Sequence, residues 1–448
     1  MKAMVSSRLE GFYKKSLGER WKILEKEAKL SEPDIALLKK EGSLTLETAD
    51  KMIENCVGLF SLPYGIAANF KINGREVLVP MVTEEPSVIA AASHGAKLCF
   101  EEGFTARAGP SLMRGQIQLV GVKNPETTRE KILEEKATLL DLVNQRDSTL
   151  LKLGGGAKEI TVRILQGNRG QMVLVEVAVD VKDAMGANAV NTMCETMAPK
   201  LEDISGGKKR VRILSNLCPE RVVKAHATWK KEIVGSPVIE GVLDAYDLAV
   251  HDAFRATTHN KGIMNGVDSV LMATGNDFRA VESGAHSYAA FQKPYGPLTH
   301  WEKTGTGDLK GSIEIPIAVG IVGGVTRTHP LAQLSLKILQ VKTAGALGEI
   351  AACVGLAQNF AAMRALSTEG IQKGHMALHA RNVAMAAGAT GKDVERVAQQ
   401  MVKEGNIRGE RAKELLWKQG IKKAFAGDAR KNARKIQAPS PDFESTPD

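Results

Sequence analysis

The feature that most narrows the folds open to this chain is an ordered run of alternating patterns between residues 109 and 219. Gln116–Val122 alternates apolar and polar residues, the period of a strand with one buried face, and Pro125–Leu151 repeats apolar residues at helical spacing. Beyond the triplet Gly154–Gly156, the runs Ile160–Leu165 and Met172–Val179 alternate again, Asp183–Leu201 is helical in pattern and Arg210–Leu214 is a last strand. The order β-α-β-β-α-β is that of a ferredoxin-like split unit, which about one hundred residues accommodate. The chain of 448 residues is long enough to carry this unit as an insert in a larger domain.

The flanks supply that larger domain. The first forty residues are helical and polar-rich, with a stop and restart at Leu30–Asp34. Val57–Asn69 is rich in glycine and contains proline, and Arg75–Val82 is an apolar strand. Pro86 in a first turn, followed by Ser87–Lys97, predicts a helix start. After Pro219 helices alternate with glycine-rich loops, with a buried strand inside Gly311–Val325 and two apolar helices inside Pro330–Leu366. The most apolar stretch, Ala344–Met363, is interrupted by Glu349, Gln358 and Asn359, which predicts a packed internal helix and no membrane span. The charged amino-terminal residues lack the apolar core of a secretory signal.

Five widely spaced cysteines with no Cys-x-x-Cys pair exclude a disulfide scaffold or a thiolate zinc site and fit a reducing cytoplasm. The net charge of +9 is concentrated near the carboxyl end, where Lys403–Lys435 holds eleven basic against four acidic residues. Such a run is most often a solvated helical face, and otherwise attracts nucleic acid or a polyanionic metabolite. The scarcity of aromatic residues, and the absence of an aromatic pattern on the small domain's strands, argue against nucleic acid.

Individual motifs leave alternatives open. No G-x-G-x-x-G lies between a strand and a helix, so a dinucleotide site here is not of the Rossmann type. Asp183–Asn188 (DAMGAN) is either a phosphate cradle at a helix N-terminus or a capped helix start with Asp183 as N-cap. Glu84 and Glu85 either cap the following helix or include an acid of raised proton affinity. Lys261, with Asp277 following a glycine turn, suits either an oxyanion pocket or a surface ion pair. His375 and His379 stand at i and i+4, but no third ligand accompanies them and no metal is expected.

Taken together and in order, these segments resemble the hydroxymethylglutaryl-CoA reductase family. The resemblance is carried by Glu54–Gly58 (ENCVG), Leu62–Gly65 (LPYG), Pro80–Ser87 (PMVTEEPS), DAMGAN, His259–Gly266 (HNKGIMNG), Thr274–Asp277 (TGND), Gly323–Pro330 (GGVTRTHP) and Gly374–Met376 (GHM). The lack of a membrane domain, and the form of the Asp183 and His375 regions, place it nearer the class II than the membrane-anchored class I enzymes.

The resemblance implies an α+β fold. A large helix-rich domain (1–108 and 220–373) would be interrupted by a ferredoxin-like nicotinamide-binding domain (109–219). A helical flap (374–427) would follow, and the tail (428–448), with almost no apolar residues, is expected from its composition to be disordered. The resemblance further implies a cytoplasmic homodimer with active sites at the subunit interface, acting on hydroxymethylglutaryl-CoA, mevalonate and CoA. Glu85 would move protons at the substrate oxygen, Lys261 stabilise the oxyanion, Asp277 hold the network and His375 protonate the CoA thiolate. Asp147, Asp183, Met185, Gly186 and Asn188 would meet the cofactor, and Ser87, Arg255 and Asn265 the substrate. An acid at Asp147, facing the adenosine ribose, implies NAD(H) over NADP(H).

Overall fold

The computed structural model describes residues 6–145, 148–291, 293–368 and 370–418. The chain divides into two units, Met1–Thr368 and Glu369–Asp448. In chain order the strands are β1 (Tyr64–Ile72), β2 (Arg75–Val82), β3 (Phe104–Ala108), β4 (Leu112–Val120), β5 (Gly156–Gly167), β6 (Gly170–Asp180), β7 (Lys208–Ser215), β8 (Val222–Trp229), β9 (Thr299–Lys303) and β10 (Leu309–Pro316).

The alternating run forms a four-stranded sheet of order β5-β6-β4-β7, antiparallel throughout. Helices Pro125–Glu134, Lys136–Asn144 and Ala187–Ser205 contribute Ile132, Leu139 and Met197 to the core over its buried face, with Met113, Ile117, Val175 and Val177 from the strands. The chain therefore folds as α+β, with a ferredoxin-like insert in a helix-rich body. The single helix expected over Pro125–Leu151 is instead broken at Glu135, between Glu134 and Lys136, and a short third segment follows at Ser148–Lys152. Apolar periodicity persists across the break, so it did not reveal it.

The larger body is built on a six-stranded sheet of order β2-β1-β3-β8-β10-β9, in which only the β1–β3 pair is parallel. Part of β1 lies in the glycine- and proline-containing stretch whose pattern gave no strand, where pairing of Tyr64–Ala67 with β2 makes it one. The helix Ala344–Ser367 runs through the core. It is long and apolar enough to cross a membrane, but most of its apolar window is buried by protein. Phe360 on it stacks on Trp229 at 4.4 Å between centroids, and the Trp229 indole N–H donates to the Gly95 carbonyl at 3.0 Å. Helix Val88–Leu98 approaches so closely that a Cβ at Gly95 would lie 2.4 Å from the Ala357 carbonyl oxygen.

Two helix starts differ from expectation. The helix after Pro86 begins at Val88, with Ser87 at its N-cap in a left-handed conformation (φ 74°) and no side-chain cap. Glu84 and Glu85 therefore lie ahead of the helix and cap nothing. The helix after β6 begins at Ala187, with Gly186 (φ 106°) at the N-cap, so Asp183 is not its cap.

The second unit is a separate small bundle. Helices Ile371–Ala386, Lys392–Lys403 and Gly409–Lys418 enclose Ala380, Ala384, Val397, Met401 and Leu415. Arg381 binds Glu395 through two hydrogen bonds of 2.7 and 2.9 Å. The expected tail from 428 onward lies outside the described residues.

Candidate active site

The helix Ala253–Ala273, here the lysine helix, is fixed before its functional residue is placed. Its buried face carries Ala256, His259, Asn260, Ile263, Val267 and Val270. His259 Nε2 lies 2.6 Å from Thr299 Oγ1 and 3.2 Å from Asn359 Nδ2, and burial pushes its imidazole down to about 3, so it stays neutral. Asn260 accepts from the Leu298 amide at 2.9 Å and donates to the Gly296 carbonyl at 2.9 Å. Lys261 follows directly and turns outward. Its Nζ lies 3.0 Å from Glu85 Oε2, at the end of the loop leaving β2. The Thr83 hydroxyl accepts from the Glu85 amide at 3.2 Å and sets that loop.

This pair is partly open to solvent, and ion pairs so exposed contribute only ~0–1 kcal/mol to stability. Stability does not explain a lysine on a well-packed helix facing an acid 176 residues away in sequence. A charge available to a bound molecule does.

Asp277 does not join the pair through a direct bond in this state. It caps helix Phe278–Ala289, accepting from the Ala280 amide at 3.1 Å, and lies 3.4 Å from Arg279 Nε. Its neighbour Asn276 accepts from the Gly320 amide at 2.8 Å. Gly320 in turn meets the DAMGAN loop, where a Cβ would lie 2.5 Å from the Met185 nitrogen. Asp277, Asn276, Gly320 and Ala184–Asn188 line one cavity of about 1980 Å³, whose walls include neither Glu85 nor Lys261.

The cavity wall at Ala184–Asn188 has the features of an anion cradle. No side chain caps helix Ala187–Ser205, so its first amides have no intrahelical partner. The loop's carbonyls are drawn the other way by Arg221, which donates to Ala184, Met185 and Val319 at 3.0, 2.9 and 2.6 Å. Arg221 is 5 % exposed, and burial lowers its guanidinium to about 10, still cationic at neutral pH. Asp183 serves the loop's other side, accepting from the Ala344 amide at 2.8 Å while its carbonyl accepts from Ile321. These residues fit a dinucleotide whose phosphates meet the cradle.

Of the expected substrate residues, Ser87 and Arg255 carry buried polar atoms, Oγ and Nε, without a protein partner. Buried polar groups are normally paired, and groups left free in this way are suited to a ligand. Asn265 lies on the lysine helix one turn after Lys261, and its carbonyl accepts from Ser269 at 2.7 Å. His375 lies on helix Ile371–Ala386 of the second unit, and Asp147 lies outside the described residues.

Sequence reasoning missed Arg221, Gln358 and a half-buried pair of acids, Asp268 and Glu282. Gln358 Oε1 is a further buried atom without a partner, and its Cβ would be 3.1 Å from a Cβ at Gly266 on the lysine helix. The sequence signal was a Gln-Asn pair inside an apolar helix, used only to argue against a membrane span. Asp268 lies on the lysine helix and Glu282 on helix Phe278–Ala289. Burial first, then the hydrogen bond and charge of Glu282, push the Asp268 carboxyl up to about 9.

The unfolded chain would release the Asp268 proton near pH 3.8. Its contribution to stability is full below that value and drains away as pH rises towards about 9. Asp268→Asn keeps a hydrogen-bond donor but no titration. Its melting temperature, measured against pH, is expected to gain several degrees on the parent between roughly pH 5 and 9. Parallel curves would show that Asp268 titrates normally.

Comparison with known proteins decides the family. The family model for hydroxymethylglutaryl-coenzyme A reductase matches residues 16–380. The chain belongs to this family. It is 52% identical over 414 residues to the 3-hydroxy-3-methylglutaryl-coenzyme A reductase of Archaeoglobus fulgidus, covering 92% of this chain and 94% of that one. It is 36% identical to the probable reductase of Borreliella burgdorferi, over 74% of this chain and 77% of that one. Among solved structures, the class II reductase of Streptococcus pneumoniae bound to NADPH matches with a TM-score of 0.77 and 39% identity, covering 90% of this chain and 99% of that one. As a hydroxymethylglutaryl-CoA reductase, the chain reduces a CoA thioester to mevalonate.

The NADPH of the streptococcal structure overturns the expectation of NAD(H). That expectation rested on one carboxylate, Asp147, whose distance to a ribose the sequence does not give. Two lysines lie at the glycine turn 154–156, one of them paired with Asp180. Lys158 Nζ donates to the Gly154 and Gly155 carbonyls at 3.1 and 2.8 Å, and Lys182 Nζ would lie 3.8 Å from a Cβ at Gly154.

Proposed function

We propose that this chain is a class II hydroxymethylglutaryl-CoA reductase that uses NADPH, with Glu85, Lys261, Asp277 and His375 as its catalytic set. The observation that carries the assignment is the 3.0 Å pairing of Lys261 with Glu85 between segments that match the family's motifs. The resemblance of the fold to the streptococcal class II enzyme supports the subclass.

Reduction of the thioester to an alcohol takes two hydrides, one C–S cleavage and a cofactor exchange. The nicotinamide, when bound, supplies the hydrides, and the cradle at Met185, Gly186 and Asn188, with Asp183 bracing it, would hold its phosphates. The Lys261 ammonium stabilises the oxyanion on the thioester carbonyl as the thiohemiacetal (mevaldyl-CoA) forms, because a fixed positive charge lowers the energy of developing negative charge. As the C–S bond breaks, His375 protonates the departing thiolate, and a neutral thiol does not return to the aldehyde. Lys261 then polarises the mevaldehyde carbonyl, and Glu85 delivers the proton that completes the alcohol of mevalonate. Asp277 adjusts the proton affinities of the pair once substrate has closed the site. Ser87, Arg255 and Asn265 hold the hydroxymethylglutaryl group, with two of their buried polar atoms free to receive it.

The active site is completed by a second subunit. Glu85 and Lys261 lie outside the cavity lined by their own chain's cradle, which supports a cradle supplied by a partner. The segment before β1 exposes Ile53, Val57 and Phe60, and Phe254 at the start of the lysine helix is 87 % exposed. Apolar groups so placed beside a site mark an interface. The protein is expected to sediment as a dimer and to show a higher kcat/KM with NADPH than with NADH. A monomer with full activity would remove the shared site, and an equal or reversed cofactor ratio would remove the NADPH assignment.

A further inference from the structure

The helix Ala344–Ser367 carries a polar group that neither the packing of the core nor the catalytic roles use. Gln358 is 6 % exposed within the apolar run of this helix, and its Oε1 is buried without a protein partner. The next residue, Asn359, is a contrast on the same helix. Its Oδ1 accepts from Thr299 Oγ1 at 3.2 Å and from Trp301 Nε1 at 3.0 Å, and its Nδ2 lies 3.2 Å from His259 Nε2. Asn359 is thus a structural amide. An unpaired carbonyl in such a place lowers stability, and a group retained despite that is suited to a ligand.

Three helices meet at Ala357 and Gln358. Ala357 faces the helix that follows Ser87, where a Cβ at Gly95 would lie 2.4 Å from the Ala357 carbonyl oxygen. Gln358 faces the lysine helix, where a Cβ at Gly266 would lie 3.1 Å from the Gln358 Cβ. These two helices run antiparallel, since Asn359 meets His259 while Gly355 lies against Ile263 and Val267. From Gly266 the row facing Gln358 therefore continues to Gly262, directly after Lys261. The contact that closes over Gly266 is absent at Gly262, where an added Cβ would meet nothing within 4 Å.

The free groups differ in what they can receive. Arg255 Nε–H only donates and the Ser87 hydroxyl can donate, so both suit a carboxylate. An amide oxygen only accepts. The acyl part of hydroxymethylglutaryl-CoA has two acceptors, the carboxylate and the thioester carbonyl, and a single donor, the tertiary hydroxyl on C3. We propose that Gln358 is a specificity-determining residue whose Oε1 accepts a hydrogen bond from that hydroxyl. With the carboxylate on Arg255 and Ser87 and the thioester carbonyl at Lys261, this third contact fixes the configuration at C3. The assignment rests on the placement of the acyl group proposed above.

The test compares two substrates that differ only in that hydroxyl. With saturating NADPH, kcat/KM is measured for hydroxymethylglutaryl-CoA and for 3-methylglutaryl-CoA. Both are run on the full-length enzyme and on Gln358→Met, which keeps the reach of the side chain without its carbonyl. The parent is expected to prefer the hydroxylated substrate about a hundredfold or more, since a site built to pair a hydroxyl rejects the analogue that lacks it. Gln358→Met is expected to lose about tenfold or more with hydroxymethylglutaryl-CoA and to stay within about twofold with the analogue. A folded variant that loses equally with both substrates, or with neither, overturns the inference. Should Gln358→Met fail to fold, the parent decides alone: equal efficiency with the two substrates overturns the inference, and the expected preference supports it. The placement of the acyl group is read separately. Arg255→Met is expected to weaken both acyl-CoAs alike, since both carry the carboxylate, and no change with either would remove the placement on which the assignment rests.

Discussion

Replacing Lys261 by alanine is expected to lower kcat by about 10²–10³-fold while leaving the fold and the melting temperature nearly unchanged. The two halves of this result have separate causes. The Lys261–Glu85 pair is partly solvated, so its loss costs the native state ~0–1 kcal/mol at most. The helix that carries it is held instead by Ile263, Val267 and the His259–Asn359–Thr299 bonds, which the substitution leaves in place. In the transition state the same ammonium faces an oxyanion, and removing one preorganised donor costs ~3–4 kcal/mol. Circular dichroism and steady-state kinetics on one preparation check both halves. Near-normal turnover would remove Lys261 from the chemistry.

Arg221→Ala is expected to act in the opposite pattern, lowering stability first and cofactor binding with it. Arg221 makes three hydrogen bonds to carbonyls of the cradle loop and of the strand end at Val319, and no carboxylate hydrogen-bonds to it among the described residues. Removing it leaves those carbonyls buried and unpaired, with an expected loss of ~3–5 kcal/mol in denaturant unfolding. Because the same bonds turn the amides of the loop towards the cavity, NADPH affinity by calorimetry is expected to fall tenfold or more. Arg221→Lys restores the charge but not the fork of donors, and is expected to recover only part of either loss. Full affinity in a destabilised Arg221→Ala would make the residue a structural support alone.

The sequence was most legible where a period repeats. Alternating runs of five to eight residues announced β4 to β7 and with them the fold of the insert, and the burial of β4 follows that alternation along its length. It was less legible where tertiary partners decide the local structure. β1 begins at Tyr64 in a stretch of glycine and proline, and its pairing with β2 makes it a strand there. The start of the helix after Pro86 moved to Val88 because Ser87 takes a left-handed backbone, which no propensity at Ser87 foretells.

Within the site, Glu85 and Lys261 were found by their motifs, but their direct contact was assigned to Asp277 as well, which caps a helix instead. Arg221 is invisible as a site residue in sequence, since what it does depends on three carbonyls brought from two separate segments. The NAD(H) expectation failed for a related reason. Cofactor choice is set by the summed field of several groups, and one acid in a sequence does not report that sum.

The central claim is that this chain performs the four-electron reduction, and the stoichiometry of NADPH oxidation tests it most directly. With hydroxymethylglutaryl-CoA limiting, absorbance and a thiol reagent would be followed together in one cuvette. Two NADPH oxidised and one CoA thiol released for each substrate consumed is the predicted result. Folded dimer that oxidises no NADPH in the presence of hydroxymethylglutaryl-CoA, or oxidises it without releasing CoA, would contradict the account.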